Sequence, residues 1–236
     1  MTGIIIEDQE LGRIVAKLNP RAKRYVFRMK SDAIYLTLPP GTTREGMLKA
    51  IDDVRPRLLA RRPDVPAQRL IDLSFTIRTE HFNLSLRQGI SPRFLARSEW
   101  GRTEIICPPN ANFADESLQT WLRKVIDEEL RRNAKVILLP RLIALARDSG
   151  LKYAALKISS SHGRWGSCSN RGVINLSFYL LLLPSRLIDY VILHELCHTV
   201  EMNHSERFWA LLNLHTDGRA HELRNELKSY RTTYDG

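Results

Sequence analysis

His194 and His198 stand four positions apart, with Glu195 directly after the first, in the run Val191-Ile192-Leu193-His194-Glu195-Leu196-Cys197-His198. A helix advances about 1.5 Å and turns about 100° per residue, so residues four apart lie nearly above one another. On a helix the two imidazoles converge on one point. Neutral ring nitrogens at this spacing chelate one zinc ion, and the intervening Glu195 can reach a water bound to it. The chemistry is hydrolytic. Zinc brings the pKa of its water from about 9 for the aqueous ion towards about 7. A neighbouring carboxylate can then act as general base.

The competing reading is a pair of satisfied histidines on a helix face. The context favours the metal. Pro184-Ser185 reads as a helix start with Ser185 as N-cap, and Leu187, Val191, His194 and His198 follow along one stripe flanked by Ile188 and Ile192. The histidines continue an apolar face, where burying unpaired imidazoles is costly and coordination removes the cost. A catalytic zinc site needs three protein ligands and one open position. His204 is the best third ligand by type and proximity, with His215, His221, Glu222 and Glu226 as competitors. Metzincin proteases share the His198-to-His204 spacing and place glycine in the turn, where this chain has Glu201. The turn is therefore expected at Asn203, which tolerates positive φ.

A second signal precedes the helix. Ala155–Ser159 reads as a short strand, residues 160–169 as a glycine-punctuated polar loop, and Val173–Ser177 as a strand. That last strand is expected to be an edge that could hold an extended peptide beside the metal by main-chain pairing. Arg164 and His162 are candidates for stabilising an oxyanion, against a structural loop. Cys197 reads as a small core hydrophobe, and Cys168 as a lone cysteine without a partner at ligand spacing. Trp165 and Trp209 read as packing residues. Glu201 or Glu222 could orient a ligand histidine.

The elements that must position these residues are legible in outline. Tyr25–Met29 and Ile34–Leu38 read as a hairpin turning at Ser31-Asp32-Ala33, and Thr42 or Thr43 caps a helix to about Ala60. Pro63 to Pro66 punctuates. Leu70–Arg78, Phe82–Arg87, Phe94–Ala96 and Thr103–Cys107 read as strands, and Pro108-Pro109-Asn110 marks a shift to helices over about 115–133 and 134–149, ended by Gly150. Ser205 reads as an N-cap, and Ala220–Tyr230 as a terminal helix before a polar, disordered tail. With 36 Lys and Arg against 26 Asp and Glu, the net charge of +10 favours anionic partners. Arg21, Lys23, Arg24, Arg28, Lys30, Arg55, Arg57, Arg61 and Arg62 could contact nucleic acid or a nucleotide, against a solvated basic surface. Three cysteines give no disulfide framework, and neither a signal peptide nor a membrane span is visible, so a cytoplasmic protein is expected.

The combination Arg164-Trp165-Gly166-Ser167-Cys168, Gly172-x-Ile174-Asn175-Leu176, His194-Glu-Leu-Cys-His198, Asn203-His204-Ser205 and Phe208-Trp209 resembles the YgjP-like metallopeptidase-domain family, grouped with SprT-like and WLM zinc proteases. The early hairpin and Pro39-Pro40-Gly41 are similar too. The resemblance implies zinc held by His194, His198 and His204, Glu195 as general base, and a zincin-like catalytic domain. The expected fold class is α+β: a strand-rich N-terminal lobe with one helix over residues 1–110, then a mainly helical zincin-like domain with a short sheet over 111–236. The expected function is a zinc metallopeptidase acting on peptide or protein. The alternatives are a metal-dependent hydrolase of nucleotides or phosphoanhydrides, and a nucleic-acid-associated protein with a structural zinc. No phosphate-cradling glycine loop supports the first alternative. The second fits poorly with three evident ligands, since structural zinc sites are closed by four.

Overall fold

In a computed structural model the described residues are 4–29, 33–60 and 69–234. The fold is α+β, and the chain divides into two compact units, Met1–Gln68 and Arg69–Gly236.

In the first unit, strands β1 (Ile4–Asp8) and β2 (Gly12–Leu18) form one hairpin, and β3 (Val26–Met29) and β4 (Ile34–Leu38) pair antiparallel as expected. β2 lies parallel to β4, giving the order β1-β2-β4-β3. Alternation decides the buried face: Ile14, Ala16, Ile34, Leu36 and Leu38 point inward and pack with Met47, Ile51 and Leu58 of helix α1 (Arg44–Ala60). Thr43 caps that helix, its hydroxyl accepting from the Gly46 N–H at 3.1 Å. β1 and β2 escaped the sequence reading because Ile4 and Ile5 are both exposed, so their pattern lacks a clean alternation. Ser31 and Asp32 of the expected turn, the Pro63–Pro66 punctuation, and Lys30, Arg61 and Arg62 lie outside the described residues. Arg55 is committed within the unit. Its guanidinium donates to both Asp8 carboxylate oxygens at 2.8 Å and reaches Glu10 and Asp52, and this holds the Asp8 carboxyl far below its usual range.

The second unit begins with a four-stranded sheet of β5 (Thr76–Arg78), β6 (Asn83–Gln88), β7 (Leu95–Glu99) and β8 (Arg102–Cys107), in the order β5-β6-β8-β7. These strands were expected to belong with the N-terminal lobe. Instead Phe75, Ile77, Phe82, Leu84, Leu86 and Ile105 share one core with a long helix, α2 (Glu116–Ser149), so the units divide at Gln68 rather than at 110.

α2 runs unbroken from Glu116 to Ser149, where two helices were expected. Asp115 caps its start by accepting from the Ser117 N–H, and Gly150 ends it in the left-handed region at φ 70°. It does not break at 133–134 because Leu122, Ile126, Leu130, Ala134, Leu138, Leu142 and Ala146 form a continuous buried stripe at four-residue spacing. Pro140 inside it is on the exposed side, where water can satisfy the carbonyl its ring deprives of a partner. Leu130→Ala should cost about 2–5 kcal/mol of unfolding free energy in a urea titration, because it leaves a cavity under both the helix and the sheet. An unchanged midpoint would mean that this stripe does not hold the unit together.

The site rests on a three-stranded sheet, β9 (Ala155–Ser159), β10 (Gly166–Cys168) and β11 (Val173–Ser177), in the order β10-β11-β9. Val173–Ser177 is therefore the central strand and not the expected edge, with β10 antiparallel on one side and β9 parallel on the other. The edge strands are β10 and β9, and β10 is the one beside α3. A 3-10 helical turn, Phe178–Leu182, leads into α3 (Ser185–Cys197). Ser185 is the first residue of α3 rather than its N-cap. Glu80, from the β5–β6 turn, accepts from its N–H at 2.9 Å and supplies the negative charge that a helix start favours. Arg141 of α2 anchors the next turn through an ion pair with Asp189 and a 3.2 Å bond to the Ser185 carbonyl. Helices α4 (Glu206–Leu214, capped by Ser205 as expected) and α5 (Ala220–Leu227) complete the unit. The segment after α5 is bound rather than loose: the Tyr234 hydroxyl donates to the Arg123 carbonyl at 3.4 Å, and Thr232 bonds to the His162 carbonyl. Among the described residues no helix is long and apolar enough to cross a membrane.

Candidate metal centre

α3 passes through the core, with Leu187, Ile188, Val191, Ile192, Leu196 and Cys197 all buried, and in its last turn His194 is part-exposed. There the 3.6-residue repeat sets His194 and His198 side by side. The chain then leaves the helix through a compact turn in which the Thr199, Val200 and Glu201 N–H groups bond back to Leu196 and Cys197. The turn is made without left-handed backbone at Asn203, since among the described residues the only non-glycine positive φ values are at Trp100 and Asp217. It returns His204 to the other two rings. Nε2 of His194 lies 3.2 Å from Nε2 of His198 and 3.1 Å from Nε2 of His204.

Three imidazole nitrogens at such separations need an explanation, because each pair would require one to donate. The Glu201 carbonyl accepts from Nδ1 of His198 at 3.0 Å, so the proton of the neutral ring sits on Nδ1 and the Nε2 lone pair faces the cluster. The separations are close to the edge of a tetrahedron with metal–nitrogen bonds of about 2.0 Å, an edge of about 3.3 Å. The donor set fits a borderline divalent cation such as zinc. Glu201 thus acts through its backbone carbonyl, where a carboxylate role was considered from sequence. Among the described residues this trio is the only cluster with metal-ligand geometry. Phe208 of α4 floors it, with ring centroids 4.9, 4.5 and 4.8 Å from those of His194, His198 and His204.

The other candidate ligands are engaged elsewhere. His215 sits at the C-terminal end of α4, outside the trio, while His221 stacks on Trp209 at 4.4 Å, Glu222 pairs with Arg219, and Glu226 pairs with Arg186. Cys197 is fully buried, with its thiol pushed up to about 12 by burial, consistent with a core hydrophobe. Cys168 is outside the trio, and burial followed by the Glu195 charge raises its pKa. His162 has both ring nitrogens occupied, by the Tyr179 hydroxyl at 3.2 Å and the Thr232 carbonyl at 3.0 Å, which removes it as an oxyanion donor.

Glu195 is 5% exposed and lies against β10. A Cβ added at Gly166 would fall 2.7 Å from both Cγ and Oε1 of Glu195, so only glycine lets the edge strand pass so near the carboxylate. The sequence singled out Gly166 as part of a motif but gave no reason for it. Burial pushes the Glu195 carboxyl up to about 8, with the Arg164 charge pulling the other way. The His194 imidazole is pushed down to about 3, by burial first and then by the charges of His198, His204 and Arg224. Nδ1 of His194 and Oε2 of Glu195 are buried without hydrogen-bond partners. A neutral imidazole beside a carboxyl with a vacant oxygen is ready to receive a cation and a water. Sequence reading also left out Tyr190, one helical turn before His194 at 6.0 Å ring to ring, and Arg224.

A family model described as YgjP-like, metallopeptidase domain, matches residues 23–230. No match is found among curated proteins. Two solved structures align over 39% of the chain. The metallopeptidase zymogen of abylysin from Pyrococcus abyssi is 21% identical over 93% of that protein, with a TM-score of 0.37. The jannalysin zymogen from Methanocaldococcus jannaschii is 18% identical over 94%, with a TM-score of 0.35.

Proposed function

The chain belongs to the YgjP-like metallopeptidase-domain family, and on that premise we propose that it is a zinc-dependent peptidase in which His194, His198 and His204 hold the metal and Glu195 is the general base. The observation that carries this reading is the convergence of three Nε2 atoms, 3.1 and 3.2 Å apart, beside a buried carboxylate with one unpartnered oxygen.

When bound, zinc supplies a Lewis acid that polarises a scissile carbonyl and makes water acidic enough to attack at neutral pH. Glu195 takes the proton of the attacking water and delivers it to the departing amine. Phe208 keeps bulk water from the floor of the site, and the Glu201 carbonyl holds His198 in its ligating tautomer. β10, paired only to β11, offers the main-chain edge along which an extended peptide can lie next to Glu195. The test is cleavage of casein and a peptide library by zinc-loaded protein, with nucleoside triphosphates as the competing substrate and Glu195→Gln as the blank. Fully loaded protein that cleaves no peptide but hydrolyses a triphosphate would overturn the reading.

Metal and pH should be linked in stability. The lowered pKa of His194 means the unfolded chain binds that proton first, so stability falls as pH drops from 6.5 towards about 3. The raised pKa of Glu195 has the opposite sign, and stability falls as pH rises from 4.5 through about 8. Between pH 6.5 and about 7.5 the two effects oppose each other. Metal-free protein should therefore lose thermal stability from about pH 7.5 to 8, once the unfolded chain has given up its histidine protons and the opposing effect of the lowered histidines is spent. Added zinc should raise Tm in that window, because the ligands are neutral and the carboxylate gains a cation. Thermal scans at the two pH values, with and without zinc, check this. A metal-free Tm that climbs from about pH 7.5 to 8 would reverse the sign.

A further inference from the structure

Beyond the metal trio and Glu195, two arginines near the site, Arg224 and Arg164, lack an ion-pair partner among the described residues. Arg224, in the last turn of α5, holds its guanidinium 5.1 Å above the ring of Trp209. Trp209 in turn lies 6.0 Å from His204 and is stacked on His221 from its α5 side. The α5 acids that could neutralise Arg224 are directed elsewhere, Glu222 to Arg219 and Glu226 to Arg186. Among the described residues Arg224 has no hydrogen bond and no ion pair. Arg164, exposed two residues before Gly166, is likewise unpaired and acts on Glu195 from the β10 side.

A guanidinium drawn over an indole by a cation–π contact gives up some rotamer freedom before any ligand arrives, while its N–H groups make no hydrogen bond to protein among the described residues. Those groups are suited to the bidentate geometry of a carboxylate. We propose that Arg224, shelved on Trp209, is a specificity residue that recognises a carboxylate side chain of the substrate next to the scissile bond, so that the site selects acidic peptides. The proposal rests on the peptidase reading and names the substrate class of the same site. It also fits the pairing of the α5 acids, which leaves the Arg224 charge available to a substrate.

The test compares peptides that differ only by Glu, Gln or Lys at each position flanking the cleaved bond. Zinc-loaded protein should cleave the best Glu peptide about tenfold or more faster in kcat/KM than its Gln isostere, the scale of a charge-assisted hydrogen bond. Arg224→Gln should bring that ratio to about one, and Arg224→Glu should invert it in favour of Lys. Binding of the same peptides to zinc-loaded Glu195→Gln, by fluorescence anisotropy, gives a readout that needs no turnover, and the Glu preference should weaken with added salt. Equal cleavage and binding of Glu and Gln peptides by the parent protein would sink the proposal. So would an Arg224→Gln loss that falls equally on both. Absence of any peptide cleavage by loaded protein, with the Glu preference intact in binding, would instead overturn the peptidase reading and leave the carboxylate site standing.

Discussion

Glu195→Gln is expected to keep a full complement of metal and to lose about 10²–10⁴-fold in kcat/KM, the usual contribution of a positioned general base. Glutamine matches glutamate in shape, so α3, its contact with β10 and the three imidazoles keep their places. What is lost is the ability to accept a proton at Oε2, the oxygen that is buried without a partner. The substitution also removes the one raised carboxyl of the site, so the fall in metal-free stability from about pH 7.5 to 8 should flatten in the same protein. Metal stoichiometry by atomic emission and initial rates on a cleaved peptide measure both halves. Wild-type turnover in metal-replete Glu195→Gln would end the general-base assignment, whatever the histidines do.

Gly166→Ala is expected to cost about 10²-fold in kcat/KM while leaving metal bound, because a displacement of about 1 Å at a catalytic group has effects of that size. The glycine is needed for space and not for backbone conformation, since its φ lies outside the left-handed region. Its added methyl would meet Cγ and Oε1 of Glu195 at 2.7 Å. Glu195 has the helix core behind it, so relief requires either the edge strand or the carboxylate to move. Gly163→Ala is the matched comparison, a glycine in the same loop whose Cβ would find nothing within 4 Å. Activities of the two variants that fall together would show that loop flexibility, and not the Glu195 contact, is what Gly166 provides.

Much of the site was legible one-dimensionally. The i, i+4 spacing of His194 and His198 needed only a helix, and the apolar stripe through Leu187 and Val191 announced one. Gly150 and Thr43 marked helix ends through their own local chemistry. The errors came where a long-range partner decided. α2 runs through 133–134 because Ala134 and Leu138 are buried against strands distant in sequence, and no local breaker opposes them. The Ser185 cap is replaced by Glu80, about a hundred residues earlier in the chain. Val173–Ser177 is central because Gly166–Cys168 folds back on it, and strand order is not written in either strand's pattern.

The sequence by itself marked the candidate ligand types, the helix that sets two of the histidines side by side and the carboxylate between them, because helical periodicity is a local property of the backbone. Type and proximity already favoured His204 over His215 and His221, but only the tertiary structure brought its ring to the other two, set the Glu201 carbonyl on Nδ1 of His198, and laid Gly166 against Glu195 while leaving Arg224 without a counter-charge. Each of these depends on how separate segments approach in space. Burial and electrostatic compensation follow from that approach and not from spacing along the chain.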